Sequence, residues 1–159
     1  MPKGDNVDQC QRIFEIAQRV AHRFPEFHQG KGRPLSSKVR TAFLARLEKE
    51  VRKEMHGVRV EEPVSTFARA AFNFYLPETA TAIEIALPLW ESDSDFERNL
   101  FKCLLASEQG MPVDRLVFIG GRGTRATSAL PCRQAILKYV QDKYGLVVSM
   151  MEISLTPAC

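Results

Sequence analysis

Residues 71–106 read AFNFYLPETATAIEIALPLWESDSDFERNLFKCLLA, and this stretch decides the fold. Apolar residues recur at every second position on both sides of a turn at residues 77–79. A period of two is that of a β-strand, so the two runs predict strands at roughly 67–76 and 81–87. Apolar residues then recur at helical spacing, which predicts an amphipathic helix over about 93–109.

The alternation also assigns the side chains of the two strands to faces. In the first strand, one face carries Phe72, Phe74 and Leu76, and the other carries Asn73 and Tyr75. In the second strand, Ile83, Ile85 and Leu87 share a face, and Glu84 lies on the other with Ala86. A carboxylate in the middle of an apolar strand is costly to bury unless it is paired or binds a cation. Glu84 is therefore the starting point for the prediction of function.

The composition is that of an ordinary globular domain. The chain has 159 residues, 45% hydrophobic and 26% charged, and its net charge of +3 permits a polyanionic partner without requiring one. Neither a membrane span nor the apolar core of an export signal is present in the sequence, which predicts a cytoplasmic protein without a membrane partner. The four cysteines form no C-x-x-C pair, so we expect reduced thiols and no zinc site.

The remaining segments place these strands in an α/β domain. Two helices come first, at about 5–24 and 36–55, and a short edge strand around 58–64 follows the second. A buried strand at 116–119, a helix at 131–144 and a last strand at 146–155 complete the order. Because a strand–helix–strand unit is a crossover, the central pairing is predicted to be parallel or mixed.

The second helix carries an unusual pair of acidic residues. Glu50 and Glu54 fall inside the arc of its apolar residues, where carboxylates are rare. The sequence leaves two interpretations open, pairing with an arginine or a ligand role. A turn between two strands can bring Asn73 close to Glu84, and the helix could add Glu50 to them. Clustered oxygen ligands of this kind suit a hard cation such as Mg²⁺ or Mn²⁺, which can activate water and polarise a phosphodiester.

This order of elements and polar residues resembles the PD-(D/E)XK nuclease superfamily, the restriction-endonuclease-like proteins, over roughly residues 35–119. The resemblance implies an α-β-β-β-α-β core with a mixed sheet in residues 35–159, with an extra helix and loop in residues 1–34 packed on it. It also implies that Asn73 stands at the first acidic position of the motif, Glu84 at the second, and Glu50 at an acid of the first core helix. The expected activity is metal-dependent hydrolysis of DNA phosphodiesters, and a homodimer is a common assembly of such enzymes.

Two positions depart from the family's motif. Asn73 is neutral where the motif has Asp, and Ala86 stands where the motif has Lys. Some members supply that lysine from the following helix, and Lys102 is the candidate here because the next lysine after it is Lys138. Helical periodicity, by contrast, places Lys102 on the solvent side of its helix.

A glycine- and arginine-rich loop, GGRGTR at residues 120–125, follows the buried strand. Its spacing is not that of a Walker A motif or of a dinucleotide fingerprint. Arg122 and Arg125 are candidate phosphate contacts, and the loop itself leaves open a small phosphate or nucleotide site. The departures at Asn73 and Ala86 leave open another alternative, a catalytically inactive nuclease fold that binds nucleic acid or protein.

Overall fold

The computed structural model describes residues 8–27, 36–64, 70–86, 93–121 and 128–154. The helices in these ranges are α1 (Gln9–Ala21), α2 (Ser37–Glu54), α3 (Asp93–Glu108) and α4 (Pro131–Tyr144). The strands are β1 (Arg59–Pro63), β2 (Ala71–Leu76), β3 (Thr81–Ala86), β4 (Arg115–Gly120) and β5 (Val147–Glu152). The predicted order of helices and strands is confirmed.

The five strands form one mixed sheet in the order β1-β2-β3-β4-β5. The pairs β1–β2 and β2–β3 are antiparallel, whereas β3–β4 and β4–β5 are parallel. The helices α3 and α4 are the crossovers that connect the parallel strands, because a parallel pair cannot be joined by a tight turn. The predicted mixed α/β architecture is therefore confirmed at the level of the sheet.

Both faces of the sheet are covered by helices. One face packs against α1 and α2 through a core that includes Phe74, Leu76, Ile83, Ile85, Val117 and Ile119. The other packs against α3 and α4 through a core that includes Phe72, Tyr75, Ala82, Ala86, Leu116 and Phe118. We call these the α1/α2 face and the α3/α4 face. The opposite placement of Ile83 and Ala86 confirms the predicted alternation in β3.

The predicted alternation in β2 is wrong at one residue. Phe72 packs on the α3/α4 face, where its ring stacks on Tyr75 with 6.3 Å between centroids, whereas Phe74 lies on the opposite face. β2 pairs regularly with β3 from Leu76, opposite Thr81, to Phe74, opposite Ile83. Beyond Phe74, the side chain of Asn73 accepts a hydrogen bond from a backbone N–H of β3. Opposite Asn73 on β1, Glu61 has φ +52°, a backbone conformation outside the strand region. The regular pleat is interrupted at this point, so a period of two no longer predicts the face.

The ends of the helices follow local sequence rules. Ser36 caps α2, because its hydroxyl oxygen accepts a hydrogen bond from the Val39 N–H at 3.3 Å. Asp8 does the same for α1 through the Cys10 N–H. Gly145 ends α4 with φ +68°, a left-handed conformation that glycine adopts without strain. None of the helices in the described ranges is long and apolar enough to cross a membrane.

Two acidic side chains, Glu48 of α2 and Glu61 of β1, interact with each other. Burial, and then the charge and hydrogen bond of Glu61, raise the pKa of the Glu48 carboxyl, while Arg52 acts in the opposite direction. A carboxyl whose pKa is raised on folding binds its proton more tightly in the folded state. The free energy of unfolding therefore falls as pH rises from the unfolded pKa, about 4.3, through the raised folded value.

We expect Glu48→Gln to flatten that fall and to raise Tm above wild type at neutral pH, because Gln keeps a hydrogen bond without the like charge. Thermal unfolding between about pH 4 and pH 8 measures it. The exposed Glu97 provides the control, and Glu97→Gln should leave the profile unchanged. The same dependence of Tm on pH in wild type and in Glu48→Gln would contradict the expectation.

Candidate functional site

A buried ion pair joins β3 to α3. The Lys102 Nζ lies 2.6 Å from Glu84 Oε1, and the exposed fractions of the two side chains are 12% and 8%. The same ammonium donates to the Ala71 carbonyl oxygen at 2.9 Å and lies 5.5 Å from the centroid of the Phe72 ring. Lys102 therefore satisfies the carboxylate that the sequence marked as costly to bury.

The structure corrects the periodicity argument that placed Lys102 in solvent. The buried surface of α3 is wider than its apolar residues indicate, since Asn99, three residues before Lys102, is 4% exposed. Residues three or four apart lie on one side of a helix. Lys102 is next to Cys103 and one turn from Asn99 and Ala106, so its aliphatic stem runs along the core and its ammonium reaches the sheet. The burial of Asn99, which the sequence does not reveal, explains why periodicity misplaced Lys102.

Asn73 lies beside this pair and contributes to the sheet through its side chain. Its Oδ1 accepts a hydrogen bond from the Ile85 N–H at 2.9 Å, next to Glu84 in the chain. An amide oxygen has two lone pairs, so this bond leaves one for a further contact. The structure therefore brings Asn73, Glu84 and Lys102 together from β2, β3 and α3.

A buried cysteine, Cys103, lies next to the ion pair in the sequence of α3. Burial, followed by the negative charge of Glu84, raises the pKa of the Cys103 thiol to about 12, and the charge of Lys102 offsets this in part. Because the thiolate is the reactive form of cysteine, Cys103 serves as a small apolar side chain. The chemistry of the site rests on the carboxylate, the amide and the ammonium.

The structure does not add Glu50 to this group. Glu50 belongs to α2, which packs on the α1/α2 face, whereas Glu84 reaches α3 on the opposite face. Glu50 is 9% exposed and its carboxylate lies 2.9 Å from Arg46. Glu54, the other acid of the apolar arc, pairs with Arg12 and Arg19 of α1. Arginine pairing, one of the two interpretations left open, is thus found at both positions.

Metal-binding groups are sparse near Glu84. Within the described ranges, the structure has no cluster of three or more His, Cys, Asp or Glu side chains that could hold a metal ion. The nominated oxygen donors at the site are therefore the Glu84 carboxylate and the Asn73 amide. The predicted metal-ligand role of Glu50 stays a prediction.

The predicted phosphate contacts Arg122 and Arg125 lie outside the described residues, and β4 ends just before them at Gly120. A different arginine, which the sequence reasoning missed, is buried in the described part of the chain. Arg133 in the first turn of α4 is 7% exposed, and its guanidinium lies 4.5 Å from the centroid of the Phe96 ring. Phe96 in turn stacks on Phe118, the β4 neighbour of Glu84. A positive charge is thus buried on the face of the sheet that carries the ion pair.

The chain matches no model of a known protein family, and no curated protein or solved structure matches it. The resemblance to restriction-endonuclease-like proteins therefore stays a prediction from the sequence. The fold that the structure itself defines is a mixed α/β domain with a five-stranded sheet.

Removing the ammonium should cost stability because it leaves a buried carboxylate without its cation. We expect Lys102→Met to lower the free energy of unfolding by about 3–5 kcal/mol. The double variant Glu84→Gln/Lys102→Met should recover much of this loss, since no charge is then left buried. Urea unfolding of the four species of this double-mutant cycle measures the coupling.

An exposed lysine pair provides the matched control for this cycle. Lys138 and Asp142 are neighbours on α4 with exposed fractions of 76% and 61%. Lys138→Met should cost no more than about 0.5 kcal/mol. Equal losses from the two lysine substitutions would show that Lys102 is not held in the buried pair.

The side chain of Asn73 should be needed to satisfy the backbone of β3. We expect Asn73→Leu to lower the free energy of unfolding by about 1–3 kcal/mol, because the Ile85 N–H loses its acceptor. Asn73→Asp keeps an acceptor in place and serves as the control. Hydrogen exchange at the Ile85 amide should quicken in Asn73→Leu alone, and unchanged exchange would contradict the hydrogen bond.

Proposed function

We propose that this protein is a metal-dependent, restriction-endonuclease-like hydrolase of DNA phosphodiesters. The observation that carries the proposal is the convergence of Asn73, Glu84 and Lys102 from three separate elements. These are the residues that the resemblance nominates for catalysis, including a lysine that helical periodicity disfavoured. Asn73 bonds to the backbone next to Glu84, and Lys102 bonds to Glu84 itself, which supports a functional role for the group.

The free-energy cost of burying the ion pair between Glu84 and Lys102 also supports a functional role for these residues. A buried salt bridge is often no more stabilising than apolar side chains of the same volume, because both charges lose their hydration. Here β3 and α3 meet mainly through apolar side chains, among them Ala86, Leu100 and Cys103. A carboxylate and an ammonium at this place are expensive for a purely structural contact. A carboxylate can hold a cation, and an ammonium can stabilise charge on a phosphate oxygen.

The donor set suits Mg²⁺ or Mn²⁺ when the cation is shared with the substrate. Mg²⁺ is commonly held by one or two carboxylates plus substrate phosphates and keeps several waters. The Glu84 carboxylate and the Asn73 amide oxygen are hard donors of this kind, and they would hold the ion. When bound, the cation would supply Lewis acidity and would lower the pKa of a water that it coordinates.

The residues of the chain contribute charge and position around that centre. Lys102 neutralises Glu84 in the absence of a cation, and the same ammonium can balance charge on a phosphate oxygen in the transition state. Arg133, held over Phe96, provides a second positive charge on this face. Arg122 and Arg125 are proposed phosphate contacts, which contribute affinity and register but no sequence choice.

The test is cleavage of supercoiled plasmid DNA in Mg²⁺ or Mn²⁺, with EDTA as the metal-free arm. We expect nicking by wild type, and a rate at least about 100-fold lower in Glu84→Gln because the charged metal ligand is lost. Asn73→Asp should raise the rate, since a second carboxylate strengthens cation binding. Glu97→Gln is the matched surface control and should cleave as wild type does.

Two results of these experiments would contradict the proposal. Cleavage that is equal in wild type and Glu84→Gln would come from a contaminant or from another site. No cleavage by wild type or by Asn73→Asp, together with no Mn²⁺ binding by calorimetry, would favour the second candidate.

The second candidate is a catalytically inactive nuclease fold that binds nucleic acid or protein. Two observations favour this candidate. The Asn73 side-chain oxygen already accepts a hydrogen bond from the Ile85 N–H, and Lys102 already neutralises Glu84. Gain of Mn²⁺-dependent cleavage in Asn73→Asp, with none in wild type, would identify a site that has lost one acid.

A further inference from the structure

The two edges of the sheet differ in how they are protected against pairing with another strand. The edge strand β1 carries Pro63, an ion pair between Arg59 and Glu62, and the left-handed residue Glu61. Prolines, charges and irregular backbone are the features that keep an edge strand from adding a further strand. The β1 edge is therefore a protected edge.

The opposite edge, β5, has none of these features in its first five residues. It reads VVSMME, with no proline, with Glu152 as its sole charged residue, and with every residue at least partly exposed. No strand in the described ranges pairs with its outer side. A regular, apolar and unprotected edge strand is the feature from which pairing with another chain is expected.

The direction of the backbone groups in β5 follows from its pairing with β4. Val147 and Ile153 donate their N–H groups to the Asp114 and Gly120 carbonyls, so the odd-numbered residues bond to β4. In a parallel ladder the alternate residues face away. The N–H and C=O groups of Val148, Met150 and Glu152 thus point to the outer side, at a regular spacing along the edge.

Exposed apolar side chains concentrate around this edge. Five large apolar side chains of the described residues are prominently exposed, and four of them belong to α4, its N-cap or β5. These four are Leu130, Tyr139, Tyr144 and Val147. Lys143 lies over both tyrosine rings, at 5.5 and 5.7 Å from their centroids. The rings of Tyr139 and Tyr144 are 6.3 Å apart and form an exposed aromatic pair on the helix that precedes β5, a feature that indicates a surface for a macromolecule.

We propose that the β5 edge is the interface of a homodimer, in which two copies pair through antiparallel β5 strands and form a continuous ten-stranded sheet. The outward-facing N–H and C=O groups of one β5 strand can form hydrogen bonds with the same groups of β5 in the second copy. With the two-fold axis at Met150, Met150 pairs with its own copy, and Val148 pairs with Glu152 of the second copy. Glu152 then lies on the face covered by the other copy's α4, whose last turn carries Lys143, so the charges are complementary. This inference is independent of the proposed nuclease activity.

The mass of the protein in solution over a series of concentrations, measured by sedimentation equilibrium, tests the proposal. Wild type should be a dimer, and Met150→Lys should be a monomer, because a lysine from each copy would meet at the two-fold axis. The matched control is Val60→Lys on the protected edge β1, which should remain a dimer. Circular dichroism and thermal unfolding verify that each variant folds.

A cross-link gives a second readout that does not depend on disrupting the strand. Opposed residues of an antiparallel pair have Cα atoms about 5.5 Å apart, within the reach of a disulfide. In a background with Cys132 and Cys159 replaced by Ser, Met150→Cys should form a covalent dimer on mild oxidation. Ser149→Cys should not, since residue 149 is opposed by residue 151 of the second copy. A monomeric wild type at about 100 µM, or equal cross-linking at both positions, would overturn the proposal.

Discussion

The structure depends on one constraint: a negative charge lies inside a sheet that is covered on both faces. Glu84 is the fourth of the six residues of β3, and strands on both sides and a helix above it exclude water. Leaving such a carboxylate without a partner would cost several kcal/mol. The ammonium of Lys102 removes that cost and at the same time contacts the Ala71 carbonyl of β2. One side chain of α3 therefore holds two strands and the helix in a fixed relation.

Asn73 meets a related requirement by a different means. Where the regular pairing of β2 and β3 stops, the Ile85 N–H would lack a partner, and the side-chain amide of Asn73 supplies one. The polar residues at this place thus satisfy the backbone and the buried charge together. Asn73, Glu84 and Lys102 are thereby held in fixed positions by contacts within the protein itself.

Local sequence patterns predicted most of the fold because each element carries its own signal. The helical period of α4, Gly145 at its end and the uninterrupted apolar run in β4 depend on neighbouring residues alone. The side-chain direction of Phe72 was predicted wrongly because it depends on an irregularity shared by three strands. Periodicity placed Lys102 in solvent because Lys102 lies outside the arc of apolar residues on α3, whereas the buried surface of the helix also includes Asn99. Its partner lies eighteen residues earlier in the chain, and such pairs become visible when the fold brings them together.

The contact between Lys102 and Glu84 also has a consequence for how the chain assembles. Until α3 docks, the carboxylate of Glu84 requires hydration, so the hairpin of β2 and β3 cannot become dry on that side by itself. The hairpin and the helix must therefore lose their water in a single step. We expect the core between the sheet and α3 to form cooperatively, when the Lys102 ammonium reaches Glu84. Slow amide hydrogen exchange in the β2–β3 hairpin of a chain truncated before α3 would contradict this expectation.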